Sequence, residues 1–165
     1  MKHVNGNPES SKPKSLVLEF PTGDRAVALS HFHAKLSFET DPSDVHADLQ
    51  NGVTDFVIVD ARSPENYARG HVPGAISFPH RQMNESTAAA LPKDKLIVVY
   101  CDGIGCNAST KGAAKLSALG FRVKEMLGGI DWWRRDGYPV EVTAGGEAVS
   151  ATIGHGAVTS SCGCG

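Results

Sequence analysis

The run from Leu96 to Gly120, LIVVYCDGIGCNASTKGAAKLSALG, decides the fold. Five apolar or aromatic residues, Leu96 to Tyr100, deliver a cysteine, Cys101, into a turn that holds Gly103, Gly105 and a second cysteine, Cys106. A continuous apolar run is what a strand buried on both faces looks like, and such strands belong to parallel sheets covered by helices. The segment after the turn, NASTKGAAKLSALG, places small residues on one side of a helix for close packing against a sheet, with Gly120 as its stop. In a parallel α/β sheet, ligands gather at the carboxyl ends of the strands. Cys101 is the first residue past such an end.

Working outward, DFVIVDAR repeats the buried-strand pattern upstream, and RVKEML supplies a third strand downstream. SPENYARG suits a turn or two of helix, HVPGAISFP a turn feeding a short strand, and GGIDWWRRDGYPVE a last helical turn. TDPSDVHADLQNG reads as a helix with Asp41 as cap, Pro42 in its first turn and Asn51-Gly52 as its stop. RAVALSHFHAKLSF spaces Leu29, Phe32, His33 and Leu36 as an amphipathic helix that packs against the domain. Alternating strands and helices predict an α/β fold, a central parallel sheet with helices on both faces. The expected organisation is a flexible, polar lead over 1–23, one domain over 24–142 with a helical extension at its start, and a mobile Gly/Ala/Ser-rich tail over 143–165.

Composition narrows the function. A chain of 165 residues can bury one core, and a formal charge of −2 supplies no basic field for nucleic acid or an anionic membrane surface. No stretch approaches the roughly 20 apolar residues of a membrane span. The opening MKHVNGNPESSKPK lacks the apolar centre of a signal peptide. The expected setting is therefore cytoplasmic, where thiols serve catalysis or metal binding more than disulfide frameworks.

A buried structural cysteine at position 101 would explain neither the glycines nor the strand-to-helix position. A nucleophile explains both. The first N–H groups of the following helix point back at the turn, and Gly103 and Gly105 are expected to take positive φ so that the loop N–H groups converge on the sulfur. That setting predicts a thiol pKa drawn down from about 8.5. GIGCNA also satisfies G-x-G-x-x-A, with Glu125 as a nominal ribose ligand, but a dinucleotide fingerprint opens a fold and here only a short ordered stretch follows.

Three separated segments resemble the rhodanese family of single-domain sulfurtransferases, over roughly Leu36 to Val142. DARSPENYARGHVPGAISFP, from Asp60 to Pro79, is similar to the family's first signature. VVYCDGIGCNAS is similar to its active-site strand and loop, and LGGIDWWRRDGYPV to its second signature. The resemblance implies a rhodanese-like fold and sulfur transfer through a persulfide on Cys101, with no metal or organic cofactor. It implies small partners: a sulfur donor such as thiosulfate or a persulfide, which a carrier protein can also bear, and a thiol or cyanide acceptor. By the same resemblance Asp102, Gly103, Ile104, Gly105, Cys106 and Asn107 form the substrate loop and Arg62 contacts the substrate, while Trp132 and Trp133 pack on the last helix, with Trp133 near the pocket rim. Asp60, Glu65 and His71 brace the turns, as Arg62 also does.

The loop departs from the common pattern, in which an Arg follows the nucleophile and another comes later in the loop. Here Asp102 and Cys106 or Asn107 hold those places. Asp102 beside the sulfur is expected to raise the thiol pKa and repel a dianion, leaving Lys111, one turn into the helix, as a nearby positive charge. Asn107 stands where related phosphatases carry their phosphate-gripping Arg, which argues against phosphatase activity. Cys106 is either a resolving thiol or a packed loop residue. In the tail, Cys162 and Cys164 with His155 offer a partial metal set or a sulfur acceptor, and equally an exposed tail with incidental cysteines. His31 and His33 face different ways on a helix and do not share a metal. A noncatalytic or redox-sensing binding module is the alternative to an enzyme. Nothing in the sequence sets an oligomeric state.

Overall fold

A computed structural model describes residues 14–144 and the backbone of 147–148. Five parallel strands form the sheet, in the order β1-β5-β4-β2-β3. They are β1 (Glu39–Thr40), β2 (Phe56–Asp60), β3 (Ile76–Ser77), β4 (Leu96–Tyr100) and β5 (Arg122–Met126). β4 sits at the centre because it is apolar on both faces. Val59, Ile97 and Val99 point into one cluster with Phe78, Met83, Leu116 and Phe121. Ile58, Val98 and Tyr100 point into the other with Val45, Met126, Ile130 and Trp133.

Helices cover both faces, as the alternation of patterns predicts. On one side lie α5 (Ala108–Ala118), the short 3-10 turn η1 (His80–Gln82) and α4 (Glu85–Ala88). Gly112 lets α5 approach the sheet: a Cβ there would stand 3.2 Å from Met83 and 3.4 Å from Val99. On the other side lie α2 (Pro42–Gln50) and α6 (Gly129–Arg135), while α3 (Pro64–Ala68) joins β2 to β3. Asp41 caps α2 as its sequence implies, accepting from Asp44 N–H at 2.9 Å. The backbone of β6 (Thr143–Ala144) and β7 (Glu147–Ala148) forms a small antiparallel pair. No helix of the described residues is long and apolar enough to cross a membrane.

The helix α1 (Arg25–Phe38) forms but does not pack as its periodicity suggests. It buries no residue, and Leu29, Phe32 and Leu36 are 57%, 58% and 70% exposed. The reason lies in what it meets. The adjacent edge strand β1 is polar, so the helix is tied by Lys124 Nζ donating to Leu36 O at 2.8 Å and by the Lys35–Glu39 ion pair at 2.7 Å rather than by buried area. Val27 and Phe38 also fall on the opposite side from Leu29, Phe32 and Leu36 at helical spacing, which leaves no single stripe.

Candidate active site

β4 ends at Tyr100, so the Cys101 side chain emerges at the carboxyl edge of the sheet, only 2% exposed. The loop 102–107 then folds over it into α5. Its turn is closed by Cys106 N–H donating to Gly103 O at 3.0 Å. From the other side α6 grips the loop: Ile130 N–H donates to Cys101 O at 3.0 Å and Asp131 N–H to Asp102 O at 2.8 Å. Gly128 and Gly129 make that grip possible, with φ of 78° and 54°, and a Cβ on Gly129 would overlap the Cys101 carbonyl.

Here the structure corrects the sequence reading. Neither Gly103 nor Gly105 has positive φ; the left-handed glycines of the site are Gly128 and Gly129, in the neighbouring turn. Gly103 is instead set by close approach, since a Cβ would stand 3.2 Å from that of Asp131. The sulfur meets oxygen as well as N–H. Cys101 Sγ lies 3.0 Å from Cys106 O and 3.0 Å from Ser109 Oγ. Burial pushes the thiol above its ordinary value, the closeness of the Ser109 hydroxyl and backbone N–H pulls against that, and the Cys106 thiol adds to the rise. The expectation of a lowered pKa is therefore not met: desolvation outweighs the donors.

Asp102 is not the unpaired repulsive neighbour that its position suggests. It pairs with Arg62 Nη1 at 3.3 Å. Arg62 in turn is locked to the fully buried Asp60 through Nε at 2.9 Å and Nη2 at 2.6 Å, and Nη2 also donates to Gly70 O at 2.8 Å. Tyr100 Oη donates to Asp60 at 2.7 Å and accepts from Val72 N–H at 3.1 Å. This buried network holds the ends of β2 and β4 together and reaches the loop through Asp102. Arg62 therefore supports the site from behind. His71 braces as expected, with Nδ1 2.9 Å from Tyr67 O, Nε2 3.5 Å from Glu141 and its ring stacked on Tyr67.

Trp133 is not at the rim. It is fully buried in the cluster under the sheet, its indole N–H donating to Pro139 O at 2.7 Å, so it is a core residue with no face on the sulfur. The remaining loop residues divide between cavities. Gly103, Ile104, Cys106 and Asn107 line the cavity of about 310 Å³ that holds Cys101. Asp102 and Gly105 line a neighbouring one of about 490 Å³, with Asp131 and Arg134. Arg62 and Asp102 open on a third of about 400 Å³, and Cys106 borders all three. Ile104, at the tip, is 82% exposed. Cys162, Cys164 and His155 lie outside the described residues.

Three residues of the site escape sequence reasoning. Ser109 Oγ donates to Glu125 Oε1 at 2.6 Å, and Thr110 Oγ1 donates to the same oxygen at 2.9 Å. Glu125, Ser109 and Thr110 all border the Cys101 cavity. The available signal is an acid placed inside a strand pattern, RVKEML, close to the end where the nucleophile emerges.

The chain is 45% identical to the BH2092 protein from Bacillus halodurans, whose crystal structure superposes with a TM-score of 0.70 over 73% of this chain and 88% of that one. It is 37% identical over 75 residues to the thiosulfate sulfurtransferase PspE of Escherichia coli, covering 44% of this chain and 68% of that protein. It is 34% identical over 99 residues to the HTH-type transcriptional regulator Rv0324 of Mycobacterium tuberculosis, covering 60% of this chain but only 40% of the regulator. Residues 41–136 match the Rhodanese-like domain, and this stretch contains Cys101, its loop and the Gly128-Gly129 grip. With a five-stranded parallel sheet delivering a cysteine into a loop over its carboxyl edge, the chain belongs to the rhodanese-like domain family.

Proposed function

We propose that this protein is a sulfurtransferase that carries a sulfane sulfur as a persulfide on Cys101. The observation that carries the reading is the position of Cys101 Sγ, at the exit of the central strand and facing a cavity of about 310 Å³. The thiol gives its proton to solvent, and the thiolate attacks the outer sulfur of the donor. A Cys101 S–S bond forms, the donor's S–S bond breaks, and its remaining part leaves as sulfite or a thiolate. A thiolate or cyanide acceptor then takes the outer sulfur and regenerates Cys101. The backbone N–H and the hydroxyl of Ser109 are the donors beside the sulfur for the anionic persulfide.

The cavity wall favours one class of donor. Glu125 lines it and, among the described residues, no Lys or Arg does, so a dianion such as thiosulfate meets no counter-charge from them. Exposed Ile104 and Leu127 give the mouth an apolar rim. A persulfide borne by a small thiol or by a protein suits such a site better than thiosulfate. Cys106 borders the same cavity and is the resolving thiol of this reading: its thiolate attacks the inner sulfur of the persulfide, forming a Cys101–Cys106 disulfide as hydrosulfide leaves.

Intact-mass measurement before and after a sulfur donor tests the reading. One added sulfur that cyanide removes is the expected result, lost in Cys101→Ser. Equal loading of Cys101→Ser would overturn it. A second reading, a redox-sensing module, is favoured by the second thiol, Cys106, which borders the same cavity as Cys101. In that case peroxide produces a Cys101–Cys106 disulfide and no sulfur is loaded.

A further inference from the structure

We propose that Glu125, acting through Ser109, is a positioning residue that governs the proton on Cys101 and screens the site against anionic sulfur donors. The inference rests on Cys101 being the nucleophile of the proposed sulfur transfer. It comes from a chain of three groups on three different elements. Ser109 is on the first turn of α5 and 3% exposed; its hydroxyl lies 3.0 Å from Cys101 Sγ and 2.6 Å from Glu125 Oε1.

A serine hydroxyl has one proton to give. A carboxylate is acceptor-only, so the short contact to Glu125 fixes that proton on the carboxylate side. The lone pairs of Ser109 are then what the sulfur meets, and they suit S–H rather than S⁻. For Cys101 to become a thiolate, Ser109 must turn its hydroxyl from Glu125 to the sulfur. Sulfur and carboxylate thus compete for a single hydrogen bond. The carboxylate does not lose all support when this happens, because Thr110 Oγ1 stays on the same oxygen at 2.9 Å. The step is a proton transfer from Cys101 to solvent with a hydroxyl rotation, and no oxidant or reductant takes part.

No ion pair of the described residues includes Glu125. Its neighbour in register on β1 is Glu39, which is engaged by Lys35 of α1. Lys124, beside it on β5, is directed to Leu36 O, and the loop contributes Cys106 and Asp102, the latter paired with Arg62. From α6, Asp131 pairs with Arg135 at 3.2 Å, and Lys111 of α5 is exposed. An uncompensated carboxylate bordering the nucleophile's cavity opposes both a thiolate and an incoming anion.

The test is the pH profile of Cys101 alkylation, resolved by peptide mass spectrometry, in wild type, Glu125→Gln and Ser109→Ala. Gln keeps the shape and removes the charge. Its profile is expected to move down by about one pH unit, so that iodoacetamide reacts about tenfold faster near neutrality. Ser109→Ala removes the hydroxyl that lies 3.0 Å from the sulfur, and its profile moves up. In Glu125→Gln, anionic iodoacetate gains more than neutral iodoacetamide. Ser109→Thr restores the hydroxyl and returns the profile toward wild type, and thermal melts confirm that each variant is folded. Two variants shifting in the same direction, or both coinciding with wild type, would overturn the proposal. Alkylation needs no sulfur donor, so failure to load sulfur refutes the transfer reading without touching this one, and the reverse also holds.

Discussion

Gly129→Ala should cost this domain far more than its conformation alone explains. Gly129 and Gly74 both have positive φ, 54° and 73°, so both pay for placing an alanine in the left-handed region. That common cost is about 1 kcal/mol. At Gly74 nothing lies within 4 Å of the added Cβ. At Gly129 the Cβ runs into the Cys101 carbonyl, which cannot retreat without loosening the Ile130 N–H bond of 3.0 Å. Overpacking of this kind adds about 2 kcal/mol, and a weakened buried hydrogen bond about 1 kcal/mol more. The expected losses are therefore about 4 kcal/mol for Gly129→Ala and about 1 kcal/mol for Gly74→Ala. For a domain of this size each kcal/mol lowers the melting temperature by about 5 °C. Urea and thermal unfolding of the two variants measure the difference directly, and sulfur loading should fall in Gly129→Ala alone because the displaced atom belongs to Cys101. Equal destabilisation of the two variants would show that φ, not the approach to Cys101, is what Gly129 is for.

Other outcomes follow from the same geometry. Tyr100→Phe strips the buried Asp60 of a 2.7 Å donor and orphans Val72 N–H, so denaturant melts should show a loss of about 3 kcal/mol. Because the folded state raises the Cys101 thiol, the native chain keeps a proton that the unfolded chain releases. The resulting stabilisation is complete below the unfolded thiol value of about 8.5 and is lost as pH rises through the folded value. Stability measured from neutral to alkaline pH should therefore fall more steeply in wild type than in Cys101→Ser. Phe32→Ser, on a helix that buries nothing, should change stability by no more than about 0.5 kcal/mol; a larger loss would mean that α1 packs on something after all.

The sequence by itself determined the parallel sheet, the order of its main elements and the position of Cys101, because these depend on local pattern. An unbroken run of five apolar, mostly β-branched residues bounded by turn signals reads as a strand covered on both sides, and a cysteine directly after it emerges at the carboxyl edge. The caps and stops at Asp41 and Gly120 are likewise local. The tertiary structure decided everything that depends on what surrounds a side chain. Trp133 reads in sequence as a packing residue near the pocket rim; it does pack, but away from the rim, because α6 turns it under the sheet. Asp102 reads as a free charge and is paired because β2 brings Arg62 forty positions back in the chain to meet it. The thiol of Cys101 reads as activated because helix and loop supply donors; it is raised instead because the same loop seals it from water, and desolvation is a sum over neighbours that no short motif records. Ser109 and Glu125 become part of the site only when α5 and β5 pack together, which places a hydroxyl between a sulfur and a carboxylate that are 24 positions apart in the chain.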